Sequence, residues 1–153
     1  MPESKRQKII NLVIARMQTI LISNGFATDL GETVEDWRVN WDDDELPALS
    51  VCDTTSEEEW FNNQPTATKQ FNQMPVLLRI FCKSDTRAAD LRVMIADMKK
   101  AIKADVFWND GTIDLAVWTK PKTSGIIVPD ESFEIAGAMV EIEIGYFTNI
   151  FEG

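Results

Sequence analysis

The chain has 153 residues, of which 44% are hydrophobic and 26% are charged, the balance of a globular protein with one core. It contains no histidine and carries a formal net charge of −10, so it lacks the commonest general base and zinc ligand, and a broad basic surface for nucleic acid is disfavoured. We therefore expect a single domain over residues 1–153 with no catalytic or cofactor site, and no stretch reaches the roughly 18 apolar residues of a membrane span.

The first predicted element is a helix over residues 4–23. Its apolar residues follow the i, i+3, i+4, i+7 spacing of one buried face: Ile10, Val13, Ile14, Met17, Ile20 and Leu21. Ile9, Leu12 and Ile22 widen this stripe, which leaves room for a second contact, for example with a neighbouring subunit. The Asn-Gly pair at 24–25 supplies the predicted end of the helix.

Residues 37–53 predict an antiparallel hairpin with an acidic tip. Apolar and polar residues alternate from Trp37 to Trp41 and again after Pro47. The predicted connection holds four consecutive carboxylates: Asp42, Asp43, Asp44 and Glu45. Consecutive residues of an extended chain point in alternating directions, so few of the four can reach one ion, and the spacing of a calcium-binding loop is absent. We interpret these residues as a solvated hairpin tip rather than as a metal site.

The next segment, residues 54–74, is a long polar stretch without regular periodicity and predicts a loop. Trp60, Phe61 and Phe71 lie in it among amide side chains. Exposed aromatic rings are unfavourable in water unless a partner covers them. We therefore predict that these three residues anchor an interface with another protein.

The second half of the chain predicts one more helix and three strands. The predicted elements are a strand from 75 to 84, a helix from about 86 to 104 capped by Ser84 or Asp85, a turn at 110–111, a strand at 112–120, a loop at 121–132 and a closing strand at 138–148. Two helices on one face of a mostly antiparallel sheet, an α+β fold, account for this order. The strand–helix–strand passage through 76–119 allows one parallel or crossover pairing.

Charge is distributed unevenly along the sequence. Residues 25–60 carry one basic and twelve acidic groups, whereas residues 61–104 carry eight basic and three acidic groups. The acidic blocks, of which residues 25–60 are the most negative, coincide with predicted strand regions. The basic blocks, of which residues 61–104 are the most positive, largely coincide with the predicted helices. Such a layout suits head-to-tail association of identical copies, and it is equally compatible with a plain solvated surface.

Motifs of known chemistry are absent from the sequence. It has no glycine-rich phosphate loop and no nucleophile elbow. Cys52 and Cys82 lie in apolar stretches and are predicted to be buried structural thiols. A small metal-dependent hydrolase would have to combine the acidic residues at 42–45 with those at 57–59. A bacterial adaptor domain would instead bind a partner through the aromatic residues of the 54–74 loop.

The order of the predicted elements and their patterns of apolar and charged residues resemble those of the tail terminator proteins of long-tailed bacteriophages. The resemblance is carried by the N-terminal helix RQKIINLVIARMQTILISNG, the acidic segment with its tryptophans, the strand and basic helix VLLRIFCKSDTRAADLRVMIADMKKAI, and the closing strand VEIEIGYFT. The long polar loop at 54–74 has no counterpart in this pattern.

The resemblance implies a structural protein rather than an enzyme. Proteins of this family form a ring, usually a hexamer, on the head-proximal end of the tail tube, where they end tube polymerisation and present a surface to the head-side connector protein. The implied partners are other copies of the chain, the tail tube protein and the connector, while DNA passes through an acidic lumen without specific binding. The implied location is the virion tail, with the bacterial cytoplasm before assembly, and neither a cofactor nor a membrane is implied.

Overall fold

A computed structural model describes residues 3–60, 68–127 and 135–149 of the chain. Within these ranges the elements are α1 Lys5–Gln18, β1 Val34–Asp36, β2 Ala48–Asp53, β3 Glu57–Trp60, β4 Lys69–Lys83, α2 Ala88–Lys103, β5 Trp118–Ile127 and β6 Ile135–Asn149. All of these strands belong to one sheet with the order β1-β2-β4-β6-β5, and β3 also pairs with β4. The predicted α+β fold with a mostly antiparallel sheet is confirmed.

The core lies between the two helices and one face of the sheet, which we call the inner face. Successive side chains of a strand point to opposite faces, and in β4 the inner residues from Met74 to Ile80 are fully buried while their neighbours are half-buried. They join one apolar cluster with residues of both helices, among them Val13 and Met17 of α1 and Met98 of α2. Neither α1 nor α2 packs on the opposite face, which we call the outer face.

The long pairing of β4 with β6 corrects the predicted loop at 54–74. Glu57–Trp60 forms β3, and β4 already begins at Lys69, so that β4 and β6 pair from Lys69–Asn149 to Lys83–Ile135. The sequence pattern does not predict this early start of β4, because two of its inner positions hold Gln70 and Asn72. A regular alternation would place apolar residues there. Both amides are buried and hydrogen-bonded: Gln70 Nε2 donates to Asn72 Oδ1 at 2.9 Å, and Asn72 Nδ2 donates to Thr148 Oγ1 at 2.9 Å.

Two prolines lie inside strands, at positions where no backbone N–H is needed. Pro75 falls in the gap between β2 and β3, where its carbonyl accepts from Thr54 N at 3.0 Å. Pro121 lies on the edge strand β5 at a shift in its register with β6. Edge positions and register shifts are the places where a sheet tolerates proline. The predicted loop at 121–132 is therefore wrong as far as Ile127, and its remaining residues lie outside the described ranges.

The predicted hairpin at 37–53 is also wrong. Val34–Asp36 forms β1 and pairs with β2 in parallel, and the chain then leaves the sheet. It does so at Trp37, whose φ of 56° lies in the left-handed region that side chains other than glycine rarely adopt. Residues 37–47 thus form an irregular connection rather than a strand and a tip, because strands that run in parallel cannot be joined by a tight turn.

The other boundaries differ by a few residues from the predicted ones. α1 ends at Gln18 because Gly31 packs against its last carbonyls, where a Cβ atom would lie 2.6 Å from Gln18 O. α2 begins after Arg87 without a side-chain cap, so the predicted caps at 84–85 are not used. The strand predicted at 112–120 begins only at Trp118. No helix within the described ranges combines the length and hydropathy needed to cross a lipid bilayer.

The passage from β4 through α2 to β5 contains the predicted crossover in a modified form. β4 and β5 both pair antiparallel to β6 and therefore run parallel to each other, with β6 between them. β6 thus fills the gap that the crossover leaves. This insertion makes β5 an edge strand and places α2 across β5 and β6 on the inner face.

A buried carboxylate attaches α2 to the turn that follows α1. Asp97 is only 5% exposed and accepts three hydrogen bonds, from Ala27 N at 3.2 Å, Thr28 N at 2.9 Å and Thr28 Oγ1 at 2.6 Å. Asp97 therefore connects two elements that are distant in sequence by hydrogen bonds.

We expect Asp97→Ala to lower the free energy of unfolding by about 1–3 kcal/mol, because it leaves buried N–H donors without an acceptor. Urea unfolding followed by circular dichroism measures this change. The matched control is Asp90→Ala on the same helix, since Asp90 makes an exposed pair with Arg87 and its loss should change stability by no more than about 0.5 kcal/mol. Equal effects of the two substitutions would contradict the assigned role of Asp97.

Candidate functional site

The outer face of the sheet carries a cluster of three aromatic rings, Phe71, Trp118 and Phe147, which we call the aromatic cluster. The ring centroids of Phe71 and Phe147 are 5.0 Å apart, and those of Phe71 and Trp118 are 5.7 Å apart. Both pairs are tilted, the arrangement that aromatic rings prefer. All three side chains are half-buried, so each ring keeps surface that a partner can cover.

The register of three strands brings the aromatic cluster together. Phe71 of β4 lies opposite Phe147 of β6, and Trp118 of β5 lies opposite Gly145 of β6. Gly145 supplies the space for the rings, since a Cβ atom there would lie 2.4 Å from Trp118 Cε2 and 2.8 Å from Phe71 Cζ. Lys120 adds a cation 4.2 Å from the centroid of the Trp118 ring. The cluster is thus apolar in its centre and positively charged at one side.

The three predicted interface anchors have different outcomes. Phe71 is a member of the aromatic cluster, on a strand and not on a loop. Trp60 ends β3, where its backbone lies opposite Gln70. Phe61 lies outside the described residues. Sequence analysis missed Trp118 and Phe147 as candidates, and the signal that was available is Gly145, a glycine within an otherwise regular strand.

The four consecutive acidic residues form a short 3₁₀ turn at the β1–β2 edge of the sheet and not a hairpin tip. Asp42, Asp43 and Asp44 are exposed, whereas Glu45 is half-buried and binds Arg38 Nη2 at 2.6 Å. The Asp42 backbone N–H, with the Arg38 guanidinium, holds the pKa of the Glu45 carboxyl below its ordinary value. Three carboxylates thus face solvent, as the sequence predicted, while the fourth is structural.

The Arg38 guanidinium fixes this turn to the sheet. It lies 4.4 Å from the centroid of the Trp41 ring, and that ring is 6.1 Å from the ring of Phe81 on the outer face of β4. The turn is therefore held above the end of β4 that pairs with the start of β2. Glu57, by contrast, lies opposite Gln73, eight residues further along β4. At the rise of a strand, these two positions of β4 are about 26 Å apart.

A separation of this size along β4 argues against one ion shared by Glu57 and the acidic residues at 42–45. Ligands of one calcium or magnesium ion lie within about 2.6 Å of it. Within the ranges that the structure describes, no group of three or more His, Cys, Asp or Glu residues is placed to hold a metal ion.

A second polar contact joins the N-terminus of α1 to the edge of the sheet. The Arg6 guanidinium binds Asp53 Oδ2 at 2.6 Å and also donates to Thr54 O and to the Ser56 hydroxyl. Asp53 accepts in addition from the indole N–H of Trp37 at 2.9 Å. Burial alone would raise the pKa of the Asp53 carboxyl, but the Trp37 and Arg6 hydrogen bonds outweigh it and the pKa lies below its ordinary value.

Both cysteines are buried free thiols, as predicted. Burial raises the pKa of the Cys52 thiol and raises that of Cys82 to about 11. A thiol with such a pKa carries very little thiolate at neutral pH, and the thiolate is the reactive form. The environment of these residues is therefore that of apolar packing groups.

Comparisons with known proteins give no family for this chain. Neither a scan against protein-family models nor a search of curated proteins finds a match to it.

We expect Gly145→Ala to lower the free energy of unfolding by about 1–3 kcal/mol, because its methyl group overlaps the rings of Trp118 and Phe71. The matched control is Gly125→Ala on the neighbouring strand, where a Cβ atom meets nothing within 4 Å, and a change within about 0.5 kcal/mol is expected. Urea unfolding followed by tryptophan fluorescence measures both. A Gly145→Ala variant as stable as the control would show that the rings do not occupy this space.

Acidification should reveal the contact between Arg6 and Asp53. Because the folded-state pKa of Asp53 is lowered, its contribution to stability is complete above the ordinary carboxyl pKa near 3.8 and is lost as the pH falls through the lower, folded value. The difference in unfolding free energy between the wild type and Asp53→Asn should be constant from pH 7 to 5 and should shrink below pH 4. A difference that grows on acidification would contradict the lowered pKa. The control is Asp36→Asn. Burial and the Asp53 carboxylate raise the pKa of Asp36, so its contribution to stability should change with pH in the opposite direction.

Proposed function

We propose that the protein is a structural virion assembly protein of the tail terminator kind. In this role, copies of the chain form a ring, a hexamer by the resemblance, on the head-proximal end of the phage tail tube. The ring ends tube polymerisation and provides the surface to which the head-side connector protein joins. DNA passes through its lumen without specific binding, and the protein resides in the virion tail after assembly in the bacterial cytoplasm.

The observation that carries this proposal is the aromatic cluster on the outer face. Both helices pack on the inner face, and the cluster presents three half-buried rings on the other side of the sheet. Clustered aromatic side chains with remaining exposure are frequent anchors of protein interfaces. The element order that carries the resemblance, with α1 first, β4 leading into α2, and β6 last, is also the order found in the fold.

The separation of the acidic groups argues against the alternative of a metal-dependent hydrolase. That enzyme needs the carboxylates at 42–45 and at 57–59 at one site, whereas the β4 positions next to Trp41 and Glu57 are about 26 Å apart. The adaptor alternative shares the aromatic cluster with the proposed function. It differs in stoichiometry, because an adaptor binds its partner as a single copy, whereas a terminator binds a tube end as a closed ring.

The test is addition of the protein to tail tube protein during polymerisation, with electron microscopy of the products. We expect short tubes that carry a ring at one end. Phe71→Ala should weaken tube-end binding about tenfold or more, because it removes the central ring of the aromatic cluster. The matched control is Phe107→Ala, an exposed phenylalanine outside the cluster, which should cap tubes like the wild type.

Two outcomes would overturn the proposal. One is a wild-type protein that stays monomeric with tubes present and leaves their length unchanged. The other is an increase in melting temperature with millimolar magnesium, calcium or manganese that is abolished by Asp43→Asn, which would support the hydrolase instead.

A further inference from the structure

A cleft of about 420 Å³ lies between the C-terminal half of α2 and the edge strand β5. Its apolar lining includes Ile102 of α2 with Val140 and Ile142 of β6. Three lysines, Lys99, Lys103 and Lys122, also line it. We call this feature the lysine cleft.

Two of these lysines are available to a partner. Lys122 is paired with Glu143 at 3.2 Å. Lys99 and Lys103 are exposed, and within the described ranges no carboxylate lies within 4 Å of either ammonium group. Glu141, the one acidic residue of the lining, is half-buried and accepts from Thr123 Oγ1 at 3.1 Å. The cleft thus combines an apolar floor with two exposed lysines that have no ion-pair partner among the described residues.

The β1–β2 edge of the sheet carries a surface of opposite character. Residues 37–44, which we call the acidic segment, leave the sheet there and expose Asp42, Asp43 and Asp44. Two large apolar side chains are exposed with them, Trp37 at 53% and Val39 at 50%. A segment that exposes both apolar side chains and carboxylates has the composition that suits an apolar cleft with a basic rim.

We propose that the lysine cleft of one copy of the chain receives the acidic segment of a second copy. Trp37 and Val39 cover the apolar floor, and Asp43 and Asp44 pair with Lys99 and Lys103. The inference rests on the proposed function, because it gives the ring its subunit contact. Charge complementarity selects a second copy as the occupant: the acidic segment lies in the most negative part of the sequence and α2 in the most positive.

The positions of the two surfaces favour a ring over a twofold dimer. The acidic segment and the cleft lie at opposite edges of the sheet, β1–β2 and β5, about 19 Å apart at the usual strand spacing. A contact between two different surfaces is heterologous, so each copy keeps one free acidic segment and one free cleft until the assembly closes. Closure satisfies every surface, which is the geometry that a ring requires.

The experiment exchanges the charges of the two surfaces in separate variants. One variant is Lys99→Glu with Lys103→Glu, and the other is Asp43→Lys with Asp44→Lys. Each variant alone should self-associate at least about tenfold more weakly than the wild type, because like charges then face each other. An equimolar mixture of the two should regain association, since each supplies the surface that the other has lost. Sedimentation velocity with tail tubes absent and tube-end binding with tubes present measure these effects.

The matched control is Lys83→Glu with Arg92→Glu, which changes net charge equally at exposed positions outside the cleft and should associate like the wild type. Circular dichroism establishes that each variant is folded. Rings that form unchanged with either variant would overturn this inference and leave the terminator function standing. A wild type that neither self-associates nor caps tubes would overturn both.

Discussion

The pairing of β4 with β6 over their full lengths is the constraint on which the rest of the structure depends. Because side chains alternate along both strands, this pairing creates one apolar face that both helices cover and one outer face that they leave open. It also places β2 and β3 along one side of β4, and β5 along the far side of β6. The positions of the aromatic cluster, the acidic segment and the lysine cleft all follow from these neighbours.

The elements with a strong apolar period were predictable from the sequence. Both helices, the second half of β4 and most of β6 have the expected faces, because burial alone determines their pattern. The first half of β4 was not predictable, because Gln70 and Asn72 occupy inner positions where the pattern predicts apolar residues. Gln70 donates a hydrogen bond to Asn72, and Asn72 donates one to Thr148. The parallel pairing of β1 with β2 was not predictable either, because local periodicity does not specify which strands pair or in which direction they run.

The candidate surfaces were only partly accessible to sequence analysis, for a related reason. Phe71 was identified by its aromatic character, but its partners Trp118 and Phe147 are distant in the chain and meet it only through strand pairing. The carboxylates of Asp42, Asp43 and Asp44 are exposed, but they belong to a 3₁₀ turn and not to a hairpin tip, and Glu45 beside them is half-buried. In the proposed assembly the outer face serves contacts along the tail, and the two sheet edges serve contacts around the ring.

The buried amides of β4 have a consequence for how reliably this sheet forms. A slip of β4 along β6 by two residues would keep every apolar side chain facing inward, so hydrophobic burial alone does not forbid it. A slip that sets Asn72 opposite Ile144 would move it away from Thr148 and leave its amide facing apolar neighbours. A slip in the other direction would set Phe71 opposite Asn149 and carry its ring away from the space at Gly145. The hydrogen bond between Asn72 and Thr148 and the space at Gly145 therefore favour a single register of β4 and β6. The buried polar groups lower the stability of the core in exchange for this specificity.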